Sequence, residues 1–222
     1  MDGMSSRGAR GFRALLGEAK WRELLKRGVE RVHRRGSLLL QQGEPGMSVL
    51  ALIRGRVKVL GAEPDGGQLL LTLRGSGDLL GEIAARSSAP RTATVQAVDE
   101  CTTHSISARS FNAFLSEIDG HAALADYVVS KLSQTVPYQV QLIHFSPDRR
   151  IARLLLEIVS LAELTADPAR VPFSQQEVAD ALGMARSTVA HHLQQLKDAG
   201  ALRTGPRIVV ASIPLLRQVA GV

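Results

Sequence analysis

The sequence of 222 residues is poor in cysteine and in aromatic residues. Its single cysteine, Cys101, excludes an internal disulfide, and one thiol can build neither a cysteine zinc site nor an iron–sulfur cluster. Aromatic residues make up 4%, whereas hydrophobic residues reach 45% and charged residues 22%. This composition excludes a disordered, collagen-like or disulfide-scaffold chain and predicts a globular protein in a reducing compartment.

Long apolar runs are also missing. The longest, near Leu154 to Leu161, is interrupted by Glu157, whereas a membrane helix needs about 20 apolar residues. The N-terminus has no apolar segment of the kind found in a signal peptide. We therefore expect no membrane contact and a cytoplasmic location.

The net charge of +6 is distributed unevenly. Residues 1–35 hold ten basic and four acidic side chains, residues 36–145 eight and ten, and residues 146–222 nine and seven. Basic ends suit a nucleic-acid partner, but they are more often a solvated face or a disordered arm. Charge alone therefore gives weak support for nucleic-acid binding.

The hydrophobic pattern changes twice along the chain. From Phe12 to Gly28 it predicts one amphipathic helix with a glycine at its end. Short β runs separated by glycine-rich and proline-containing turns follow, and they predict an antiparallel barrel or roll. These runs are Ser37–Gln41, Val49–Ile53, Val57–Leu60, Gln68–Leu73, Ala93–Ala97 and Thr102–Ser105.

A long helical pattern begins at Ser110 and has a seam with alternating spacings of three and four residues. Such a seam predicts a helix that pairs with a second chain, although two helices packed on the barrel without a dimer are an alternative. Pro137 predicts a kink or a break, and residues 144–148 a hinge before a helix over Arg149 to Leu164. The seam residues are Ala125, Val128, Leu132, Thr135, Gln139 and Leu142.

One motif with binding chemistry consists of residues 81–85 followed by residues 90–94. A glycine at a strand end permits a turn whose free backbone N–H groups can face an anion. Arg91 can add a bidentate contact to a phosphate, Thr92 a hydroxyl, and Glu82 can accept a hydrogen bond from a sugar hydroxyl. Phosphate plus ribose indicates a nucleotide, whereas the structural alternative is an ion pair between Glu82 and Arg91.

The other motif, residues 173–193, predicts a helix-turn-helix. Ser174 and Glu177 form a capping box, and Gly183 permits the turn into the second helix. That helix buries Val189, Leu193 and Leu196 and leaves open Arg186, Ser187, Ala190, His191 and Gln194. Arginine can read guanine and glutamine can read adenine in the major groove. Residues 201–204 and 208–210, joined by residues 205–207, are typical of the two strands of a wing.

Metal binding and catalysis find little support in the sequence. His191 and His192 are adjacent on a helix and point about 100° apart, so they cannot bind one metal ion together. The other histidines lack metal-ligand spacing, and no Ser-His-Asp set or carboxylate pair lies in a catalytic context. We expect neither a metal ion nor an enzymatic activity.

Residues 81–94 resemble the phosphate-binding cassette of cyclic-nucleotide-binding domains, in which Gly-Glu-(apolar)-Ala precedes Pro-Arg-(small)-Ala-Thr. The resemblance implies that Glu82 binds the ribose 2′-hydroxyl and Arg91 the cyclic phosphate. Thr92 and the amides of Ile83 and Ala84 would complete the phosphate site. The ligand-binding residues implied in this way are Gly81, Glu82, Ile83, Ala84, Arg91 and Thr92, and Thr135 matches a base-contacting threonine on the dimer helix.

The order of barrel, long helix, hinge and winged helix resembles the cyclic AMP receptor protein/FNR superfamily of bacterial transcription regulators over residues 12–213. The implied fold is α+β, with an N-terminal antiparallel β-roll, a long dimerisation helix and a C-terminal winged helix-turn-helix. We expect a cyclic-nucleotide-binding domain over residues 12–145, with the dimerisation helix at about 110–145. A DNA-binding domain is expected over residues 146–222.

The resemblance implies a homodimer that binds a near-palindromic double-stranded DNA operator, works with RNA polymerase and is controlled by cyclic AMP. Cyclic GMP stays an alternative because a threonine after the cassette arginine, here Thr92, also occurs where guanine is preferred. Cyclic di-GMP, haem, activity without any nucleotide, and a sensor that docks a protein also stay open. The expected DNA contacts are Ser174, Gln175, Gln176, Arg186, Ser187, Thr188, His191 and Arg207.

The start of the recognition helix departs from the pattern of the best-known members. They have Arg-Glu there and an arginine one turn later, whereas this chain has Arg186-Ser187 and His191. We therefore expect a different operator sequence.

Overall fold

The computed structural model describes residues 10–62, 68–87, 89–162 and 167–222, and it describes the side chains of all of these except residues 62 and 135–143. Its elements, in chain order, are α1 (Gly11–Leu16), α2 (Glu18–Lys26), β1 (Val29–His33), β2 (Leu38–Leu40), β3 (Ser48–Arg54), β4 (Val57–Ala62), β5 (Gln68–Arg74), β6 (Leu79–Leu80), α3 (Glu82–Ser87), β7 (Thr94–Ala97), β8 (Cys101–Ser107), α4 (Ala108–Glu117), α5 (His121–His144), α6 (Pro147–Ser160), α7 (Gln175–Leu182), α8 (Arg186–Asp198) and α9 (Ile213–Ala220).

The strands form two antiparallel four-stranded sheets, with orders β1-β8-β3-β6 and β2-β7-β4-β5. Apolar side chains from both sheets form a shared core, and Cys101 is a buried member of it. This arrangement confirms the antiparallel roll. Two strands are additional to the predicted set: β1, whose side chains are mostly exposed, and β6, which has only two residues. Neither has enough alternating apolar residues to be recognised from the sequence.

The N-terminal segment forms two helices, so the prediction of a single helix was wrong. Gly17 separates them with a φ of 79°, a backbone conformation that glycine adopts without strain. Gly28 follows the C-cap residue Arg27 and serves close packing, because a Cβ atom there would lie 2.7 Å from Cγ1 of Ile106.

The long helix α5 runs without interruption from His121 to His144, so Pro137 does not end it. Leu124 and Tyr127 are buried against the roll, whereas Val129 and Leu132 are 61% and 59% exposed. The seam residues Thr135, Gln139 and Leu142 lie outside the described side chains. The described half of α5 therefore has one face on the roll and an apolar face open to solvent.

A buried hydrogen-bond network fixes α5 to the roll. The hydroxyl of Tyr127 accepts a hydrogen bond from the amide of Leu79 at 2.9 Å and donates one to Oδ1 of Asp78 at 2.8 Å. Burial is the main cause that raises the pKa of Tyr127 well above its ordinary value of 10, and the nearby Asp78 carboxylate is the second. The phenol thus stays protonated and keeps its donor role.

The C-terminal region packs α6 to α9 around one apolar core. Helix α6 has Ser146 as its N-cap and Pro147 in its first turn, and it ends at Ser160, earlier than predicted. Helix α9 was not predicted, and it lies against α6. The side chains of Arg149 and Arg153 both donate to the carbonyl of Ala220 near the end of α9, where helix carbonyls lack intrahelical partners.

The C-terminal region also packs on the sheet that contains β4 and β5. Leu60 and Leu70 of these strands belong to the same apolar cluster as Phe173. Arg56 bridges the two parts, since its guanidinium donates to Asp99 at 2.5 and 3.0 Å and to the carbonyl of Ile158 at 2.8 Å. A movement of α6 and α7 must therefore repack the outer side of this sheet.

Candidate ligand cavity and nucleic-acid interface

A cavity of about 170 Å³ lies between the cassette and α5. Its lining residues are Leu40, Val59, Leu71, Thr72, Arg74, Leu80, Gly81, Glu82, Ile83, Ala84, Arg91, Thr92, Ala93, Val95, Val128, Lys131 and Leu132. All six cassette residues predicted from the sequence are among them. The side chain of the seventh, Thr135, lies outside the described part of α5.

Two glycines allow the cassette backbone to come close to its neighbours. Gly81 has a φ of 78°, and a Cβ atom there would lie 1.9 Å from Nη1 of Arg91. A Cβ atom at Gly46 would lie 2.4 Å from the carbonyl of Ala84, so the turn before β3 presses against α3. Helix α3 begins at Glu82, and the amides of its first turn have no acceptor within the helix.

Arg91 is held inside the cavity wall and is only 6% exposed. Its Nη1 donates to the carbonyl of Gly81 at 2.9 Å and its Nη2 to the carbonyl of Ser48 at 2.7 Å. The Nε atom is buried without a hydrogen-bond partner among the residues that the structure describes. Burial lowers the pKa of Arg91 below its ordinary value, as expected for a desolvated cation. The cavity wall thus contains an oriented guanidinium whose Nε–H is available as a hydrogen-bond donor.

Glu82 is 2% exposed and is paired with a lysine from α5. Its Oε1 accepts a hydrogen bond from Nζ of Lys131 at 2.8 Å, and the same ammonium donates to the carbonyl of Leu79 at 2.7 Å. Nζ of Lys131 also lies 4.7 Å from the centre of the Tyr127 ring. The ion pair considered between Glu82 and Arg91 is therefore replaced by one between Glu82 and Lys131.

The sequence interpretation did not include Lys131, although a signal for it exists. It is the only lysine or arginine between His121 and His144. It also follows Leu124 and Tyr127 at helical spacing, on the face of α5 that packs on the roll. A lone cation on a buried helix face needs a buried anion.

Replacing Lys131 with methionine should lower the free energy of unfolding by about 1–2 kcal/mol, because Glu82 loses its partner while its carboxylate stays buried. The expected loss is moderate since the Lys131 side chain is 15% exposed and water can reach the gap. Urea denaturation of the ligand-free protein measures the change.

The matched control is Lys20→Met on the exposed side of α2, which should leave the stability unchanged. Adding Glu82→Gln to Lys131→Met removes the unpaired charge and should restore most of the loss. A double variant no more stable than Lys131→Met would show that the ion pair is not the cause.

The helix-turn-helix has the predicted local structure. Oγ of Ser174 accepts from the amide of Glu177 at 3.1 Å, and the Glu177 carboxylate accepts from the amide of Ser174 at 2.7 Å. Gly183 adopts the left-handed conformation, with φ 59° and ψ 44°. Val189, Leu193 and Leu196 of α8 are buried, which fixes the opposite face of the helix toward solvent.

The open face of α8 is polar, and most of its side chains are exposed to solvent. Arg186, Ser187 and His191 are exposed, and Thr188 is half-buried. At the start of α7, Ser174 and Gln176 are exposed and Gln175 is half-buried. The structure therefore leaves the predicted contacts on these two helices accessible in whole or in part.

The wing is less regular than the two strands predicted. Leu202 and Val210 form a single bridge, supported by a hydrogen bond of 2.9 Å from the amide of Arg203 to the carbonyl of Val209. Nζ of Lys197 donates to the carbonyl of Gly205 at 2.9 Å and ties the turn to the end of α8. Arg207 is exposed at the tip.

Among the described residues, no helix combines the length and the apolarity that crossing a bilayer requires. In the same part of the chain, His, Cys, Asp and Glu side chains do not gather in threes around a possible metal position.

Comparison with known proteins matches two segments of the chain to two family models. Residues 30–117 match the cyclic nucleotide-binding domain, and residues 149–219 match the Crp-like helix-turn-helix domain. The CRP-like cAMP-activated global transcriptional regulator of Mycobacterium tuberculosis is 29% identical over 184 residues, 80% of this chain and 81% of that protein. The cAMP-activated global transcriptional regulator CRP of Pasteurella multocida is 28% identical over 166 residues, 73% of this chain and 79% of that protein.

A solved structure shows the same fold. The c-di-GMP-responsive global regulator CLP of Xanthomonas campestris superposes with a TM-score of 0.70 at 22% identity, over 87% of this chain and 99% of that one. The matched families and relatives are transcription regulators and not enzymes. With a cyclic nucleotide-binding domain followed by a DNA-binding Crp-like helix-turn-helix, the chain belongs to the CRP/FNR family of transcription regulators.

Proposed function

We propose that this protein is a homodimeric transcription regulator whose DNA affinity is set by a cyclic nucleotide in the cavity between the cassette and α5. The observation that carries the proposal is the pair of buried charges in that cavity, Arg91 and Glu82. Burying a cation and a carboxylate is costly unless their remaining bonding capacity is used. A ribose cyclic phosphate supplies both missing partners. Its phosphate is an anion for Arg91, and its ribose hydroxyl is a hydrogen-bond donor for Glu82.

The proposed ligand pose follows from the lining residues. Arg91, Thr92 and the amides of Ile83 and Ala84 would hold the cyclic phosphate. Glu82 would accept a hydrogen bond from the ribose 2′-hydroxyl, with Lys131 holding the carboxylate in place. Relatives described as cAMP-activated make cyclic AMP the first nucleotide to test. Cyclic GMP, and cyclic di-GMP on the example of the regulator CLP, are the alternatives.

The dimer proposal is supported by the exposed apolar face of α5. Leu132 and Val129 are open to solvent in the single chain, and Leu132 together with Val128 also lines the cavity. A second copy packed along α5 would cover these side chains. A ligand in the cavity would then contact α5, the helix that joins the two chains. If the ligand binds one arrangement of the dimer more tightly than another, it shifts the population toward that arrangement.

We divide the chain into a nucleotide-binding domain over residues 12–145 and a C-terminal domain over residues 146–222. Double-stranded DNA is the proposed partner of the C-terminal domain. The open face of α8 presents arginine, serine and histidine, which suit base edges and phosphates better than an apolar protein surface. RNA polymerase is the further partner expected of a regulator that acts in the cytoplasm. A sensor that docks a protein through this domain is the alternative.

The test is a gel-shift assay on genomic fragments with and without cyclic AMP or cyclic GMP, combined with sedimentation of the free protein. We expect a dimer that binds selected fragments, with an affinity that changes when nucleotide is added. Binding that no nucleotide changes would contradict ligand control. A monomer without DNA binding would contradict the proposed function as a whole.

Substituting Thr135 by valine should weaken nucleotide-dependent DNA binding more than it weakens dimerisation. We propose that the Thr135 hydroxyl contacts the purine, whereas valine is nearly isosteric and keeps the helix seam apolar. The expected decrease is about 3- to 10-fold in nucleotide affinity, the size of one neutral hydrogen bond. Calorimetry and sedimentation measure the two effects separately. If dimers are lost while nucleotide affinity stays intact, Thr135 is only a packing residue.

A further inference from the structure

Arg74 is a second buried arginine in the wall of the nucleotide cavity, and no motif accounts for it. It is the last residue of β5, is 6% exposed, and lines the cavity together with Thr72, two residues earlier on the same face of the strand. Its Nη1 donates to Oε1 of Gln134 at 2.8 Å. Among the described residues this neutral amide is its hydrogen-bonding side-chain partner. The carboxylate near it is that of Glu157, whose pKa is raised by burial and lowered in part by the charge of Arg74.

The position of Arg74 corresponds to the base end of the proposed ligand. Gln134 follows Lys131 by three residues, which is about 4.5 Å along a helix axis. Lys131 holds Glu82, the proposed ribose contact, and in the proposed pose Arg91 and the first turn of α3 take the phosphate. The space between Glu82 and Arg74 is thus where the base attached to that ribose would lie.

The two purines differ in what they present to a guanidinium. Guanine offers two neighbouring acceptors, O6 and N7, whereas adenine offers N7 next to an amino group that is itself a donor. Arginine has five N–H donors and no acceptor, so it can pair with both guanine atoms but meets a second donor on adenine. A buried arginine whose hydrogen-bonded side-chain partner is a neutral amide gains most from the guanine edge.

We infer that Arg74 determines base specificity and that the cavity prefers a guanine nucleotide over cyclic AMP. This inference rests on the proposed nucleotide site and refines it by naming the base. Cyclic GMP is the probe because it joins a guanine to the single cyclic phosphate and ribose of the proposed pose. Cyclic IMP, which keeps O6 and N7 but lacks the 2-amino group, separates recognition of this edge from recognition of the amino group.

Titration calorimetry of the full chain with cyclic GMP, cyclic IMP and cyclic AMP tests the inference. We expect the first two to bind about 10- to 100-fold more tightly than cyclic AMP, the discrimination typical of one bidentate arginine contact. In Arg74→Leu the affinities for cyclic GMP and cyclic IMP should fall to that for cyclic AMP, which itself should change by less than about threefold. The control Arg31→Leu, on the exposed side of β1, should keep the wild-type ratio.

A competing role for Arg74 lies on its other side, where it borders a cleft of about 570 Å³ that Glu157 of α6 also lines. If Arg74 only neutralises that carboxylate, Arg74→Leu lowers stability and leaves the ratio of nucleotide affinities unchanged, which overturns the inference. Equal or tighter binding of cyclic AMP by the wild type overturns it too, while the proposed function stands. Failure of all three nucleotides and of cyclic di-GMP to bind overturns both.

Cyclic di-GMP forms a fourth arm of the titration because it carries the same guanine edge. Binding tighter than that of cyclic GMP, and lost in Arg74→Leu, would support the guanine assignment with the dinucleotide as its source. Dinucleotide binding that Arg74→Leu leaves intact would count against Arg74 as the residue that reads the base.

Discussion

Replacing Arg91 with alanine is expected to abolish cyclic-nucleotide binding while the protein remains a folded dimer. The guanidinium is fixed by the carbonyls of Gly81 and Ser48, so it is oriented before the ligand arrives. Removing one member of a buried charge-assisted contact costs about 2–5 kcal/mol, or about 30-fold to several-thousand-fold in affinity. Calorimetry with cyclic AMP and cyclic GMP measures the loss.

Two controls separate loss of the phosphate contact from damage to the cassette. Arg91→Lys keeps the cation but cannot make the same paired contacts, so its affinity should lie between those of the wild type and the alanine variant. Arg86→Ala, at the exposed end of α3, should bind nucleotide like the wild type. Sedimentation and thermal unfolding check that each variant is folded and dimeric. Unchanged affinity of Arg91→Ala for both nucleotides would reject the site.

The exposed arginine that opens α8 should carry much of the DNA sequence preference. A guanidinium at Arg186 can bond O6 and N7 of one guanine, so Arg186→Ala should cost about 1–3 kcal/mol and relax the preference at one base pair of each half-site. A dimer holds two copies, which makes the expected loss on a symmetric operator about 2–6 kcal/mol. Selection of binding sites from a random pool, with wild type and variant, measures both effects.

Arg207 in the wing provides the matched comparison. We expect it to contact phosphate, so Arg207→Ala should weaken binding to all sequences alike and reduce the salt dependence by about one unit per copy. The selected operators should be near-palindromes with half-sites about one helical turn apart. Recovery of asymmetric single half-sites, or of no preferred sequence with Arg186 intact, would contradict the dimeric reading of DNA.

The sequence by itself determined the features that depend on neighbouring residues. The capping box of Ser174 and Glu177 and the turn at Gly183 use contacts between residues a few positions apart, and such contacts are visible as residue spacing. The antiparallel roll was predictable because its longer strands carry apolar or β-branched runs bounded by turns. The cassette was recognisable because its backbone geometry needs glycine at position 81 and its cation is supplied ten residues later.

Only the tertiary structure decided which distant groups meet. Lys131 reaches Glu82 across 49 positions of the chain, and Arg74 and Gln134 are 60 positions apart. No local pattern encodes these pairs, because they arise only when α5 packs across the end of the roll. The same holds for β1, whose place at the sheet edge comes from pairing with β8 rather than from its own composition. Propensity and spacing act over a few residues, whereas the partner of a buried charge is chosen by the packing of whole elements.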